Sequence, residues 1–80
     1  MDTYSVVKTR LLQLLEANKM SIYKLSVESA VSPSTIKNIL YGKSKNPGIV
    51  TIKMLCDGFN ISLIDFFDTE DFKNLEQQIK

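Results

Sequence analysis

Apolar residues recur three and four positions apart along most of the chain, and Ser, Pro, Gly and Asn mark the breaks between those runs. This period belongs to helices packed by one face. Val7, Leu11, Leu14 and Leu15 predict a first helix over residues 5–18, with Leu12 widening its apolar face and Asn18 at the edge of the stripe. Lys8, Arg10, Gln13 and Glu16 fall on its wet side, and Asn18-Lys19 suits its end. Residues 3–7 also alternate as a strand would, but no partner strand is evident.

Three later helix starts share one pattern: an apolar residue, then Ser, then an apolar residue four positions on. Met20-Ser21 with Leu25, Val31-Ser32 with Ile36, and Ile61-Ser62 with Phe66 all fit it. Each Ser can accept a bond from an orphan backbone N–H, and each apolar pair can staple the incoming chain to its helix. Pro33 stands at a first helical position, where its missing N–H costs nothing, and Asp65 stands where a reciprocal capping box needs it. The predicted helices are 22–29, 33–40 and 63–67, with a fourth from residue 50 or 51 to 59. Gly42 and Asn60 suit left-handed helix ends. The longest breaker-rich loop is 43–48. Asp68 and Asp71 are spaced as a possible box ahead of a last helix, with Phe72, Leu75 and Ile79 on one stripe. The expected fold class is all-α, a compact five-helix bundle with a short C-terminal helix. Its expected domains are residues 1–67 and an acidic, helical tail over 68–80.

Ala30-Val31-Ser32 is long enough only for a tight turn between the second and third helices. Ile36, Ile39 and Leu40 point inward, and Ser26 offers a small surface for the close approach of another helix. Ser34, Thr35, Lys37, Asn38 and Tyr41 remain for the outside. Two short helices joined in this way, the second presenting polar groups, form a helix-turn-helix. Asn can pair with adenine, Ser and Thr with several bases, and Lys with guanine or phosphate. Ser34, Thr35, Lys37 and Asn38 are therefore the base-contacting candidates. Tyr41, Lys43, Lys45 and Asn46 are the phosphate-contacting candidates here, and Lys53, near the start of the fourth helix, could join them. Tyr41 has a second reading, packing on the loop, and Tyr23 a similar one. Free N–H groups at the start of the third helix could also hold a phosphate.

Charge sharpens this picture. The net charge of the 80 residues is only +1. Residues 1–56, however, carry eight Lys/Arg against three Asp/Glu, and residues 57–80 carry two against six. The first part can face a polyanion and the last part is repelled by one. No acidic residue occurs between Lys37 and Lys53, which leaves four lysines unopposed along the sequence.

Other chemistries find little support. The chain has no histidine and one cysteine, so it lacks the commonest metal ligand and cannot form an internal disulfide. Cys56 reads as a buried free thiol. Ser21-Ile22-Tyr23-Lys24 and Ser34-Thr35-Ile36-Lys37 both match Ser-x-x-Lys, but the companion motifs of serine hydrolases are absent. Neither catalytic residues, a metal, a cofactor nor a small-molecule ligand is expected. No apolar run approaches the ~20 residues of a membrane span, and the N-terminus does not read as a secretion signal. A cytoplasmic location is expected.

The stretch from Met20 through Ser21, Leu25, Val31, Ser32, Ile36 and Gly42 to Pro47 resembles the Cro/C1-type helix-turn-helix of phage repressors and Xre-like bacterial regulators. Residues 51–67, ending Ser62-Leu63-Ile64-Asp65-Phe66-Phe67, resemble that family's fourth and fifth helices. The resemblance implies a five-helix bundle that binds double-stranded operator DNA, commonly as a homodimer on a palindrome, and so a small transcriptional regulator, a repressor. By position, Pro33, Ser34, Lys37 and Asn38 match the recognition helix, and Ser21, Ile22, Tyr23, Lys43, Lys45 and Asn46 match phosphate-facing sites. Ser26 replaces the family's usual alanine, Ala30 its frequent turn glycine, Ile22 a polar residue and Asn60 a glycine, while Pro33 has no side-chain donor. The rival reading is a protein-interaction or antitoxin-like module on the same bundle. The fifth helix and the tail stripe are candidates for a dimer interface; alternatively, the stripe folds back on the bundle.

Overall fold

A computed structural model describes residues 1–79; Lys80, the last residue of the expected tail, lies outside them. Among the described residues there are six helices and no strands: α1 (Thr3–Ala17), α2 (Ile22–Ser29), α3 (Pro33–Leu40), α4 (Ile49–Phe59), α5 (Leu63–Phe67) and α6 (Glu70–Lys73). The three Ser-based starts fall where expected, with Ser21, Ser32 and Ser62 accepting from the backbone N–H of Lys24, Thr35 and Asp65. Such a cap is worth about 1 kcal/mol. Asp65 answers with its carboxylate on the Ser62 N–H, completing the box. Helix α1 begins two residues before its predicted start because Asp2 caps it, accepting from Ser5 N–H at 2.8 Å. That bond holds the Asp2 carboxyl below the usual carboxylate range. The strand alternative for residues 3–7 is thereby overturned.

The core gathers Val7, Leu11, Leu14 and Leu15 of α1 with Leu25, Val31, Ile36, Ile39 and Leu40 of the helix-turn-helix, Ile52, Leu55, Cys56 and Phe59 of α4, and Phe66 of α5. Cys56 is buried and free, and burial pushes its thiol pKa up. Leu12 and Asn18 do not join the buried face; Leu12 is 47% exposed. Arg10 is not on the wet side either. Its Nε and Nη2 donate to the carbonyls of Phe66 and Asp65 at 2.9 and 2.8 Å. The guanidinium thus fastens the C-terminal end of α5, while the Ser62–Asp65 box fastens its N-terminal end.

Helices α2 and α4 pack tightly where Gly58 meets Ser29. A Cβ on Gly58 would stand 2.8 Å from Ser29 Cβ and 3.0 Å from Leu25 Cδ1. An intimate approach therefore falls at Ser29 and Gly58. Ser26 is buried, and its hydroxyl donates to the Tyr23 carbonyl at 2.6 Å.

The tail folds back rather than forming one long amphipathic helix. Thr69, not Asp68, supplies the cap of α6, accepting from Phe72 N–H. The Phe72 ring lies 4.9 Å from that of Phe67 and 5.9 Å from that of Phe66. Helix α6 stops at Lys73, so Leu75 and Ile79 lie beyond it and share no helical stripe with Phe72. The following chain returns to α1, where the Thr3 hydroxyl donates to Gln78 Oε1 at 3.1 Å.

The turn between α2 and α3 carries local strain. Ala30 has φ 59° and ψ 21°, the left-handed region that alanine enters at a cost of roughly 1–2 kcal/mol. Asn60 does the same after α4, but asparagine tolerates it better. Ala30 is exposed, so removing its methyl empties nothing. Ala30→Gly is expected to stabilise the fold by about 0.5–1 kcal/mol after the glycine entropy cost. Thermal melting should show a rise of a few degrees; a fall would mean that the turn is not held in this conformation.

Candidate nucleic-acid interface

Helix α3 divides cleanly between two faces. Ile36, Ile39 and Leu40 are 0%, 1% and 3% exposed and anchor it in the core. Ser34, Lys37, Asn38 and Tyr41 recur at i, i+3, i+4 and i+7, and all are exposed. The structure therefore brings three of the four base-contacting candidates onto one outward stripe. Thr35, the fourth, is exposed beside the stripe, with its hydroxyl 2.8 Å from Ser32 Oγ. Ser34 Oγ also lies 3.2 Å from Ser32 Oγ. A cluster of three hydroxyls therefore marks the start of the helix. The helix start offers less backbone than the sequence implies. Pro33 has no N–H and Thr35 N–H is taken by Ser32, which leaves Ser34 N–H in the first turn.

Around this stripe stand the phosphate-contacting candidates. Ser21 is exposed at the N-terminal end of α2, its oxygen already accepting from Lys24 N–H at 3.0 Å. Tyr23 and Tyr41 are 71% and 70% exposed, so neither is buried against the loop. Lys43 is exposed in the loop after α3. Lys45 and Asn46 sit farther round, lining an open cleft with the cap residue Asp2, with Thr3 and Tyr4 of α1 and with Gln78 of the tail. Asp2 is close enough for the Lys45 charge to help depress its pKa.

The lysine count from the sequence needs correction. Lys53 pairs with Asp57 one turn along α4, just as Lys24 pairs with Glu28 along α2. Of the four lysines over 37–53, Lys37, Lys43 and Lys45 remain outside the ion pairs of the described residues. The unopposed set is three, not four.

Sequence periodicity does not reveal what sets the far end of α3. The Tyr4 hydroxyl donates to the Ile39 carbonyl at 2.6 Å. Ser44 N–H donates to the Asn38 carbonyl at 2.9 Å. One signal was available: Tyr4, Val7 and Leu11 share a helix face, and a phenol turned inward needs a hydrogen-bond partner.

A short helix held across the back of a second, whose outward face is polar and bordered by free lysines, is the geometry of a helix-turn-helix DNA-binding domain. A model of the Cro/C1-type helix-turn-helix DNA-binding domain family matches residues 10–71, and the chain belongs to that family. It is also similar to prophage Lp1 protein 11, known from a crystal structure, with a TM-score of 0.79 and 29% identity; the match covers 94% of this chain and 100% of that one. No curated protein sequence matches the chain. Membership places it among regulatory DNA-binding domains rather than enzymes. Among the described residues, no cluster of His, Cys, Asp and Glu could hold a metal, and no helix is long and apolar enough to cross a membrane.

Proposed function

We propose that this chain reads double-stranded DNA by laying α3 in the major groove, as a homodimer on a palindromic operator. It acts in the cytoplasm as a small transcriptional regulator, a repressor that works by occupying its site. Residues 1–67 form the binding domain and 68–80 the tail, whose described residues 68–79 fold back on it. Ser34, Lys37 and Asn38 meet base edges, with Thr35 beside them. Ser21, Tyr23, Tyr41, Lys43, Lys45 and Asn46 meet phosphates, which fix register without reading sequence.

The observation that carries this reading is the exposed i, i+3, i+4, i+7 stripe of α3 over its fully buried opposite face. Pairing has separate support. Ile64 is 79% exposed and forms an open apolar patch with Leu63 and Phe67 on α5, and a second copy would cover it. Two-fold pairing also extends the footprint to half-sites about 34 Å apart.

Selection from a random duplex pool tests both parts. Enrichment of one palindrome is the expected result. Salt-insensitive binding with no enriched sequence would favour the protein-interaction or antitoxin-like alternative. The salt slope gives a further prediction. Lys43→Ala and Lys45→Ala should each lower the slope of log affinity against log salt by about 0.9, the value of one phosphate. Lys53→Ala should leave it unchanged, because Asp57 already pairs with that lysine. Anisotropy titrations of a labelled duplex at several salt concentrations check this.

A further inference from the structure

Tyr4 lies thirty or more positions of sequence from the recognition stripe, yet it bonds to the end of α3. The last carbonyls of a helix have no partner inside it. Here three of them are satisfied by three different donors: Lys37 by Tyr41 N–H at 2.8 Å, Asn38 by Ser44 N–H at 2.9 Å, and Ile39 by the Tyr4 hydroxyl at 2.6 Å. The first two donors belong to the departing chain itself. Tyr4 is the donor that comes from another helix.

The same hydroxyl also borders the turn into the lysine loop. Gly42 turns the chain with φ +86°, and a Cβ built there would lie 3.7 Å from the Tyr4 hydroxyl oxygen. That turn brings Ser44 N–H back onto the Asn38 carbonyl. Tyr4 thus holds the end of the helix bearing Lys37 and Asn38 and lies against the turn into the loop bearing Lys43 and Lys45. Its ring is half-buried, and it lines the cleft that also holds Lys45 and Asn46. A phenylalanine would supply the ring but not the bond.

We infer that Tyr4 is a positioning residue for DNA recognition: its hydroxyl sets the register between the base-facing stripe of α3 and the phosphate-facing loop. This rests on α3 being the reading helix. Base contacts tolerate little displacement, and a supporting shell left loose degrades selectivity before it degrades folding. Non-selective attraction to phosphates depends on charge, which Tyr4 does not carry.

The test compares the full chain with its Tyr4→Phe variant on two probes, the duplex enriched from the random pool and a scrambled duplex of equal length. Loss of one hydrogen bond should weaken binding to the enriched duplex roughly threefold to tenfold while scrambled binding stays within about twofold. The salt slope should not move. Amide hydrogen exchange supplies a readout without DNA: Ser44 and Tyr41 should exchange faster in Tyr4→Phe, while amides of α2 and α4 keep their rates. Equal selectivity in both proteins would overturn the positioning role and leave the reading of α3 standing. So would a general rise in exchange with unchanged selectivity, which is the mark of mere destabilisation. If the parent chain selects no duplex, the reading of α3 fails and the role of Tyr4 falls with it.

Discussion

The double substitution Lys37→Ala with Asn38→Ala should erase selective DNA binding while leaving the helix bundle folded. Asn38 can make a two-point contact with adenine, worth about 1–3 kcal/mol of discrimination, so its loss alone should weaken selective binding about tenfold to a hundredfold. Lys37 adds a contact to guanine or to a phosphate, and its loss should compound the effect. Both side chains are exposed, and alanine is at least as good a helix former as either. The melting temperature should therefore hold or rise. The measurement is anisotropy on the enriched duplex beside a thermal melt of the same samples. A double variant that melts and binds like the parent would show that another surface reads the DNA.

The largest effect on stability is expected at Gly58. In the middle of an exposed helix, alanine would be favoured over glycine by about 1 kcal/mol. Here that preference is outweighed. The added methyl would sit 2.8 Å from Ser29 Cβ and 3.2 Å from Ser29 Cα, and backbone cannot step aside as the end of a long side chain can. Helices α2 and α4 must separate, which costs about 1–3 kcal/mol for overpacking of this kind. In a domain of this size each kcal/mol is about 4–8 °C of melting temperature. Gly58→Ala should therefore lower the midpoint by roughly 5–20 °C, and Gly58→Val by more. Pairing Gly58→Ala with Ser29→Gly should recover part of the loss, because it removes the Cβ that the new methyl strikes. No recovery would mean that the clash is relieved elsewhere.

What could be read from the sequence followed how local each signal is. Ser21, Ser32 and Ser62 located α2, α3 and α5 to the residue, because a cap bond spans three positions and its apolar staple four. Helix α4 begins at Ile49, slightly earlier than its pattern implied, since Gly48 offers no side-chain cap to mark the start. The tail misled for a related reason. Phe72, Leu75 and Ile79 have helical spacing, but isolated short helices are marginal in water, and only Phe72 finds an aromatic neighbourhood to pack in. The polar stripe of α3 was legible because burial and exposure follow one period. The pairing of Lys53 was legible in principle, because Asp57 stands one helical turn on, just past the acid-free interval. Tyr4 on Ile39 and Arg10 on Asp65 and Phe66 join residues 35, 55 and 56 positions apart. No local pattern encodes such pairs.

Helix α5 is five residues long, too short to persist alone, yet it is clamped at one end by the Ser62–Asp65 box and at the other by Arg10. If a second copy docks at Ile64, it meets a surface already in its final shape. Association there carries little ordering entropy and resembles the docking of two rigid bodies. Variants of Ile64 should then change how long a complex lasts more than how fast it forms. Loosening Arg10 would convert the same encounter into folding upon binding, with a larger heat-capacity signature and a weaker complex made from the same contacts.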